Sequence, residues 1–263
     1  MTGVTARIVA VSNRKGGAGK TTTVVNLAGE LAAGGGKVLV IDMDTQGHAA
    51  IGLGHQNQRG QSSVHHIFYQ DGFTLSSAIL PTATPGIDLI PADQEFESTN
   101  GSIDPLCLKE HLSSEPVIQQ YQWILVDTPP SLDHILINAL SAAHGVLIPF
   151  LPHHLSAEGI RQLLRLFYRV ASRDNPQLKL LGLIPVMFDT RIRLHATVMQ
   201  AMEKQFGLSR ILHPVRADIR LAEAFMAGQP VRNYAPRSRG TEDYHLLAEQ
   251  LPTIWKKIQH GEG

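Results

Sequence analysis

The chain has 263 residues, 43% of them hydrophobic, and its 23 lysines and arginines balance its 23 aspartates and glutamates. This length is enough to bury one substantial core, so we expect a single domain over residues 1–263. A net charge of zero excludes a whole-molecule field that attracts nucleic acid or acidic lipid, and the lone Cys107 excludes a disulfide framework within the chain.

Short apolar runs alternate with amphipathic stretches, which is the pattern of βα units around a parallel sheet. The runs predict strands at 7–12, 37–42, 87–91, 123–127, 145–150 and 180–188. The amphipathic stretches predict helices at about 20–33, 132–143, 156–172, 194–206, 218–227 and 241–258. Residues 52–86, rich in Gly, Gln, Ser, Thr and Pro, predict an irregular insertion over the sheet. The predicted fold class is α/β, a doubly wound, mostly parallel sheet flanked by helices.

The N-terminus and the length of the apolar runs indicate the cellular location of the protein. Residues 1–13 form a short β-rich run with one arginine, which is unlike a signal peptide. No apolar stretch approaches the roughly 18 residues that a membrane span needs. The sequence therefore predicts a soluble, cytoplasmic protein.

A glycine-rich segment, SNRKGGAGKTT (12–22), lies between the first predicted strand and the first predicted helix. It nearly fits the phosphate-loop pattern G-x-x-x-x-G-K-[ST], with arginine in place of the first glycine. Glycines let the backbone bend around an anion, and the helix start adds its positive end. Lys20 would then reach the β- and γ-phosphates, and the Thr21 hydroxyl would bind Mg²⁺. The predicted nucleotide-binding residues are Gly16, Gly17, Ala18, Gly19, Lys20, Thr21 and Thr22.

Carboxylates follow two of the predicted strands. Asp42 and Asp44 lie at the end of the strand that comes next after the loop, and Asp127 ends the strand WILVD (123–127) before a turn with two prolines. Ligands of doubly wound sheets bind at the carboxyl ends of the strands. A hydrophobic strand that ends in aspartate is typical of a Walker B motif, so Asp127 is predicted to hold Mg²⁺ through its water shell.

The stretch KGGAGKTT (15–22) resembles the deviant Walker A motif, K-G-G-x-G-K-[ST], of the ParA/MinD family of P-loop ATPases. In that family the lysine that matches Lys15 reaches across a nucleotide-sandwich dimer to the phosphates bound by the partner subunit. The resemblance implies ATP and Mg²⁺ as cofactors, a homodimer in the ATP state, and catalytic roles for both Lys15 and Lys20. The alternative is an exposed Lys15 without such a role.

The stretch DMDTQGH (42–48) resembles the family's switch I pattern, D-x-D-P-Q-G-N. The resemblance implies that Asp44 is catalytic and positions the attacking water, and that Asp42 lies close to the metal. The predicted metal site is thus Thr21, Asp42 and Asp127. The chain departs from the pattern at Thr45 and His48, and a solvated acidic turn is the alternative.

The C-terminal half also resembles ParA proteins, most closely in IRLAEAFMAGQPV (219–231), so the likeness extends from about residue 7 to residue 251. It implies that residues 187–189 and 213–218 line the adenine pocket. Residues 187–240 contain nine lysines and arginines against four acids, in the region where ParA-like dimers carry a non-specific DNA surface. The predicted DNA-binding residues are Arg191, Arg216 and Arg220; the alternative is a solvated helix face.

The resemblance implies an ATP-dependent switch that dimerises on ATP, binds DNA non-specifically and positions a cargo such as a plasmid, chromosome region or protein microcompartment. A ParB-like or other adaptor protein would stimulate its weak intrinsic ATPase activity, and the protein would associate with the nucleoid. One alternative is a MinD-like membrane-associated ATPase. The C-terminal stretch has an apolar stripe and two lysines, but Pro252 is predicted to interrupt it, which disfavours membrane binding. The other alternative is an ATP-dependent small-molecule ligase on the same scaffold.

Overall fold

A computed structural model describes residues 6–56, 58–97, 103–116, 118–131 and 133–259. Within these ranges eight strands form one sheet in the order β3-β4-β2-β5-β1-β6-β7-β8, and every pairing is parallel except that of β3 with β4. The strands are β1 (Arg7–Val11), β2 (Val38–Asp42), β3 (Leu80–Pro81), β4 (Ile87–Ile90), β5 (Trp123–Asp127), β6 (Gly145–Phe150), β7 (Lys179–Phe188) and β8 (Val215–Arg216).

Helices cover both faces of this sheet. They are α1 (Lys20–Ala33), α2 (His48–Gly52), α3 (Cys107–Ser114), α4 (His134–Ala142), α5 (Ser156–Arg173), α6 (Arg193–Phe206), α7 (Ile219–Met226), α8 (Val231–Tyr234) and α9 (Arg239–Gln259). Helices α3 to α6 contribute to the core on one face, and α1, α2 and α7 to α9 contribute to the core on the other. The predicted α/β fold class is confirmed.

The strands next to the phosphate loop are buried throughout, as their unbroken apolar sequences predict. Every residue of β2, β5 and β6 is buried, which is typical of parallel strands with helices on both faces. Helix α1 ends at the three glycines, where Gly35 has a φ of 86° that favours glycine. The insertion at 52–86 contains two 3₁₀ turns, at Val64–Phe68 and Leu75–Ala78, and the short edge strand β3.

The prediction that Pro252 interrupts the last helix is wrong. Helix α9 continues through Pro252 to Gln259. A proline removes one backbone hydrogen bond, but tertiary packing compensates here, because Leu247 and Leu251 are fully buried and Trp255 packs edge-on against Trp123, 5.8 Å between ring centroids. The apolar stripe of α9 therefore faces the core. No helix in the described part of the chain is long and apolar enough to cross a membrane.

The parallel register brings the carboxyl ends of three adjacent strands to one edge. Asp42 at the end of β2 pairs with Asp127 at the end of β5, which in turn pairs with Val11 at the end of β1. Because the phosphate loop starts directly after Val11, this register sets both aspartates beside the loop.

Candidate nucleotide-binding site

The phosphate loop is held by its own backbone conformation and by one asparagine. The Asn13 side chain donates to the Pro149 carbonyl at 2.6 Å and accepts from the Lys15 backbone N–H at 2.9 Å. Gly17 and Gly19 adopt left-handed φ values of 71° and 81°, which side chains other than glycine rarely accept. The sequence motifs do not indicate the role of Asn13, because it depends on a contact with Pro149 near the end of β6.

The open side of the loop suits an anion. A Cβ atom added to Gly16 or Gly17 would meet nothing within 4 Å, whereas one added to Gly19 would lie 3.3 Å from Val186. The first two glycines thus leave the backbone accessible, and the third lets the loop pack against β7. Since Gly19 is also the N-cap of α1, the positive end of the helix dipole lies at the same place.

The two loop lysines have different environments. Lys20, the first residue of α1, is only 7% exposed, and its charge lowers the pKa of Asp127. Lys15 lies exposed on the rim of the loop. A buried ammonium group near carboxylates can serve a ligand inside its own subunit, whereas an exposed one can reach outward.

Asp127 is a buried carboxylate with one free acceptor. Its Oδ2 accepts a hydrogen bond from the Thr21 hydroxyl at 2.7 Å, while its Oδ1 has no hydrogen-bond partner among the residues that the structure describes. Burial raises the pKa of Asp127 to about 7, even though the Thr21 hydrogen bond and the Lys20 charge act in the opposite direction. The fully buried Oδ1 is therefore the atom that can accept from a hydrated cation.

Asp42 anchors the segment that follows β2. Its Oδ1 accepts from the Asp44 N–H at 3.2 Å, and its Oδ2 accepts from the N–H groups of Ala49, 2.9 Å, and Ala50, 3.4 Å, at the start of α2. Burial and the neighbouring Asp127 carboxylate raise its pKa well above the ordinary range. That Asp42 also approaches the metal stays a prediction; in this structure it shapes the loop that carries Asp44.

The loop after Asp42 holds Asp44 at the same edge. Asp44 is 9% exposed, and its Oδ1 accepts from the Gln46 N–H at 3.1 Å. Gly47, with a φ of 66°, is the N-cap of α2, so the loop forms a tight turn despite Thr45 and His48. The Asp44 N–H donates to Asp42, and the Asp44 charge raises the pKa of both Asp42 and Asp127.

The donor set fits a magnesium ion that arrives with a nucleotide. The Asp127 and Asp44 charges raise the pKa of Asp42, and the Asp44 charge raises the pKa of Asp127, so the site favours an added cation. In the described ranges no group of three or more His, Cys, Asp and Glu side chains could hold a metal by itself. This agrees with Mg²⁺, which keeps waters and takes most other oxygens from phosphates. Thr21 and Asp127 would hold the ion, and Asp42 would lie next to Asp127.

The two segments predicted to line the adenine pocket lie side by side. Val186 pairs with Val215 and Phe188 with Arg216, and Met187 between them has a φ of 52°, unusual for a residue with a side chain. The adenine contacts themselves stay a prediction.

The three arginines predicted to bind DNA all contact carboxylates. Arg216 makes bidentate hydrogen bonds to the buried Asp243, the shortest 2.7 Å, and also contacts Glu242. Arg191 pairs with Asp189 at 2.7 Å, and Arg220 pairs with Glu223 at 2.5 Å; both arginines are more than half exposed. Their DNA contacts stay predictions. The Arg216 guanidinium has a structural partner, so Arg216 variants would not report on DNA alone.

Comparisons with known proteins agree with these motifs. A family model described as an AAA domain matches residues 6–180. The chain is similar to the chromosome-partitioning ATPase Soj of Thermus thermophilus, with 36% identity over 93% of this chain and 95% of that protein. It is also similar to the chromosome partitioning protein ParA of Caulobacter vibrioides, with 32% identity over 93% of each.

Among solved structures, the chain is similar to cobyrinic acid a,c-diamide synthase from Mycobacterium smegmatis with bound ADP and magnesium. The TM-score is 0.81 and the identity 29%, over 95% of this chain and 96% of that one. The shared sheet, phosphate loop and full-length similarity to Soj and ParA agree on one assignment. The chain belongs to the ParA/MinD family of P-loop ATPases.

Proposed function

We propose that this protein is an ATP-dependent switch that dimerises on ATP, binds DNA non-specifically and positions or partitions a cargo. Its cofactors would be ATP and Mg²⁺, and it would act in the cytoplasm on the nucleoid. The observation that carries the proposal is the unequal placement of the two loop lysines, with Lys20 7% exposed and Lys15 on the rim. One subunit can use Lys20 for its own ATP, while Lys15 suits the phosphates of a second subunit.

Hydrolysis in this proposal needs groups from more than one chain. Asp44 orients the attacking water, Lys20 neutralises charge on the phosphates, and Lys15 of the partner subunit would stabilise the negative charge that develops in the transition state. Because a lone subunit lacks the last group, its turnover should be slow. A ParB-like or other adaptor protein would accelerate it by stabilising the assembled site.

Replacing Asp44 with alanine should trap the ATP-bound dimer. The variant keeps the two lysines that bind phosphate but loses the carboxylate that orients water. The rate of hydrolysis should therefore fall by about 100-fold or more. ATP turnover and sedimentation with ATP measure the two effects. Asp71→Ala, which removes an exposed carboxylate, is the matched control and should behave as the parent. Parental turnover in Asp44→Ala would show that Asp44 does not position the water.

DNA binding that depends on ATP is the direct test of the proposed switch. A pull-down on random-sequence duplex, with and without ATP, should retain the protein only with ATP, and retention should weaken steeply with salt through counterion release. If the protein does not bind duplex with ATP, the proposal that it is a DNA-binding switch is wrong.

Arg220→Glu should weaken this binding several-fold and leave ATP affinity unchanged. Arg220 is 53% exposed at the start of α7, and its ion pair with Glu223 is an exposed one, which contributes at most about 1 kcal/mol to stability. Removing a guanidinium that binds phosphate should also lower the salt dependence of binding. Duplex affinity and nucleotide affinity are measured on the same preparation. An unchanged duplex affinity would remove Arg220 from the DNA surface.

The two alternatives make different predictions. Similarity to a cobyrinic acid a,c-diamide synthase structure favours an ATP-dependent ligase as the second candidate. A ligase would release ADP in proportion to a carboxylate substrate and would ignore DNA. The membrane alternative loses its main support, because the apolar residues of α9 pack against the core of the domain.

A further inference from the structure

Helix α5 carries a row of arginines outside the 187–240 region, whose basic composition predicts a DNA surface. Arg161, Arg165, Arg169 and Arg173 recur at every fourth residue, and all four are exposed. Because an α-helix rises about 1.5 Å per residue, the Cα atoms of the four arginines are spaced about 6 Å apart along the helix axis, over about 18 Å. We call these four residues the α5 ridge.

The ridge is held in a fixed orientation by the opposite face of the helix. Leu163, Phe167 and Val170 are buried in the core beneath α5, so the arginine face is directed to solvent. Tyr168 lies between the ridge arginines and is 65% exposed, which adds a hydroxyl donor to the same surface. Because the helix backbone is already ordered, binding through this surface restricts only side chains, whereas binding through a flexible basic loop would also have to order the backbone.

Most of the ridge charge is available to a ligand. Glu158, at the start of α5, lies 3.2 Å from Arg161 and 3.4 Å from Arg165. Arg169 and Arg173 have no carboxylate within 4.0 Å among the residues that the structure describes. Four arginines against Glu158 and Asp174, which directly follows Arg173, leave a local charge of about +2 in a chain whose net charge is zero.

The region at 187–240 is less available than its composition indicates. Four of its nine lysines and arginines contact carboxylates, at Arg191, Arg216, Arg220 and Arg232. The partners include Glu30, Glu242 and Asp243, which lie outside this region in sequence. A count of the acidic residues within 187–240 therefore does not include them. A DNA surface that used only 187–240 would have to compete with these ion pairs.

We propose that the α5 ridge contacts the phosphate backbone of duplex DNA and extends the DNA-binding surface of this protein. The inference rests on the proposed function and adds a site to it. Guanidinium groups bind phosphate oxygens bidentately, and a regular row of them, inclined to the helix axis, suits a regular array of phosphates. A membrane surface fits less well, because a helix that lies on lipid needs an exposed apolar face, and the apolar face of α5 is buried.

The double variant Arg169→Glu/Arg173→Glu tests the ridge. Its affinity for random-sequence duplex, measured by fluorescence anisotropy with ATP, should fall by at least about 10-fold at about 50 mM salt. The slope of log affinity against log salt should flatten by about 0.9 for each phosphate that the variant no longer neutralises, between about 50 and 200 mM. Nucleotide affinity and melting temperature should match those of the parent, since both side chains are exposed.

The matched control is Arg59→Glu/Lys257→Glu, which makes the same change in net charge at exposed positions outside α5. Equal losses in both double variants, or no loss in the ridge variant, would overturn the ridge assignment. So would ridge-dependent binding to phosphatidylglycerol vesicles with none to duplex. If the parent protein itself fails to bind duplex with ATP, the proposed function fails as well, which separates that outcome from failure of the ridge alone.

Discussion

Lys20→Ala should remove most of the nucleotide affinity, whereas Lys15→Ala should keep nucleotide binding and lose ATP-dependent dimerisation. Lys20 is buried beside the carboxylates of its own subunit, so its loss removes a charged contact to phosphate worth about 1.5–3 kcal/mol, or about 10- to 100-fold in affinity. Lys15 is exposed on the rim, and in the proposed dimer its ammonium group serves the other subunit.

Calorimetry with ATP and sedimentation with and without ATP separate the two effects. Arg14→Ala is the matched control, because Arg14 is an exposed cation next to Lys15 that has no assigned role, and it should change neither property. Identical behaviour of Lys15→Ala and Lys20→Ala would overturn the division of roles between the two lysines. Loss of dimerisation in Arg14→Ala would show that general loop charge, and not Lys15 itself, drives association.

The parts of the site that lie next to buried strands were predictable from sequence. Long β-branched runs identify parallel strands, and parallel strands end at a common edge, so the positions of Asp42 and Asp127 follow from where their strands end. The glycine-rich pattern likewise predicts a loop that bends around an anion, and Gly17 and Gly19 adopt left-handed φ values in that loop. These features depend on local sequence and one rule of topology.

The features that were missed depend on contacts between distant segments. Arg216 binds Asp243, 27 positions away, so counting charges in one window overstates the free charge of that window. Pro252 continues a helix because Leu251 and Trp255 pack on the core, which outweighs a weak local signal. Asp42 bonds to the start of α2, a five-residue helix too short to show a periodic pattern.

Asp127→Asn should make the nucleotide-free protein more stable at pH 8 while weakening Mg²⁺-dependent ATP binding. The fold raises the pKa of Asp127 to about 7, mainly by burial. Below about pH 4 the carboxyl is protonated in both folded and unfolded chains and contributes nothing. As pH rises from about 4 to 7 the unfolded chain ionises first, so the folded state loses stability, and the full penalty is present above pH 7.

Asparagine stays neutral across this range and can still accept from Thr21 through its side-chain oxygen. We expect it to gain on the order of 2 kcal/mol at pH 8, or about 5 °C in melting temperature, and almost nothing at pH 4. With Mg²⁺ and ATP the parent should be more stable than the variant. The bound cation offsets the Asp127 charge in the parent, and it binds more weakly to the neutral side chain of the variant.

Thermal unfolding at pH 4, 6 and 8, with and without Mg²⁺-ATP, measures these differences. Asp71→Asn, at an exposed carboxylate, is the control and should show the pH dependence of the parent. A variant that is less stable than the parent at pH 8 without nucleotide would mean that Asp127 is already compensated by Lys20 and Thr21. A gain at pH 8 that Mg²⁺-ATP removes would mean that the site keeps an unfavourable buried charge for the cation that arrives with the nucleotide.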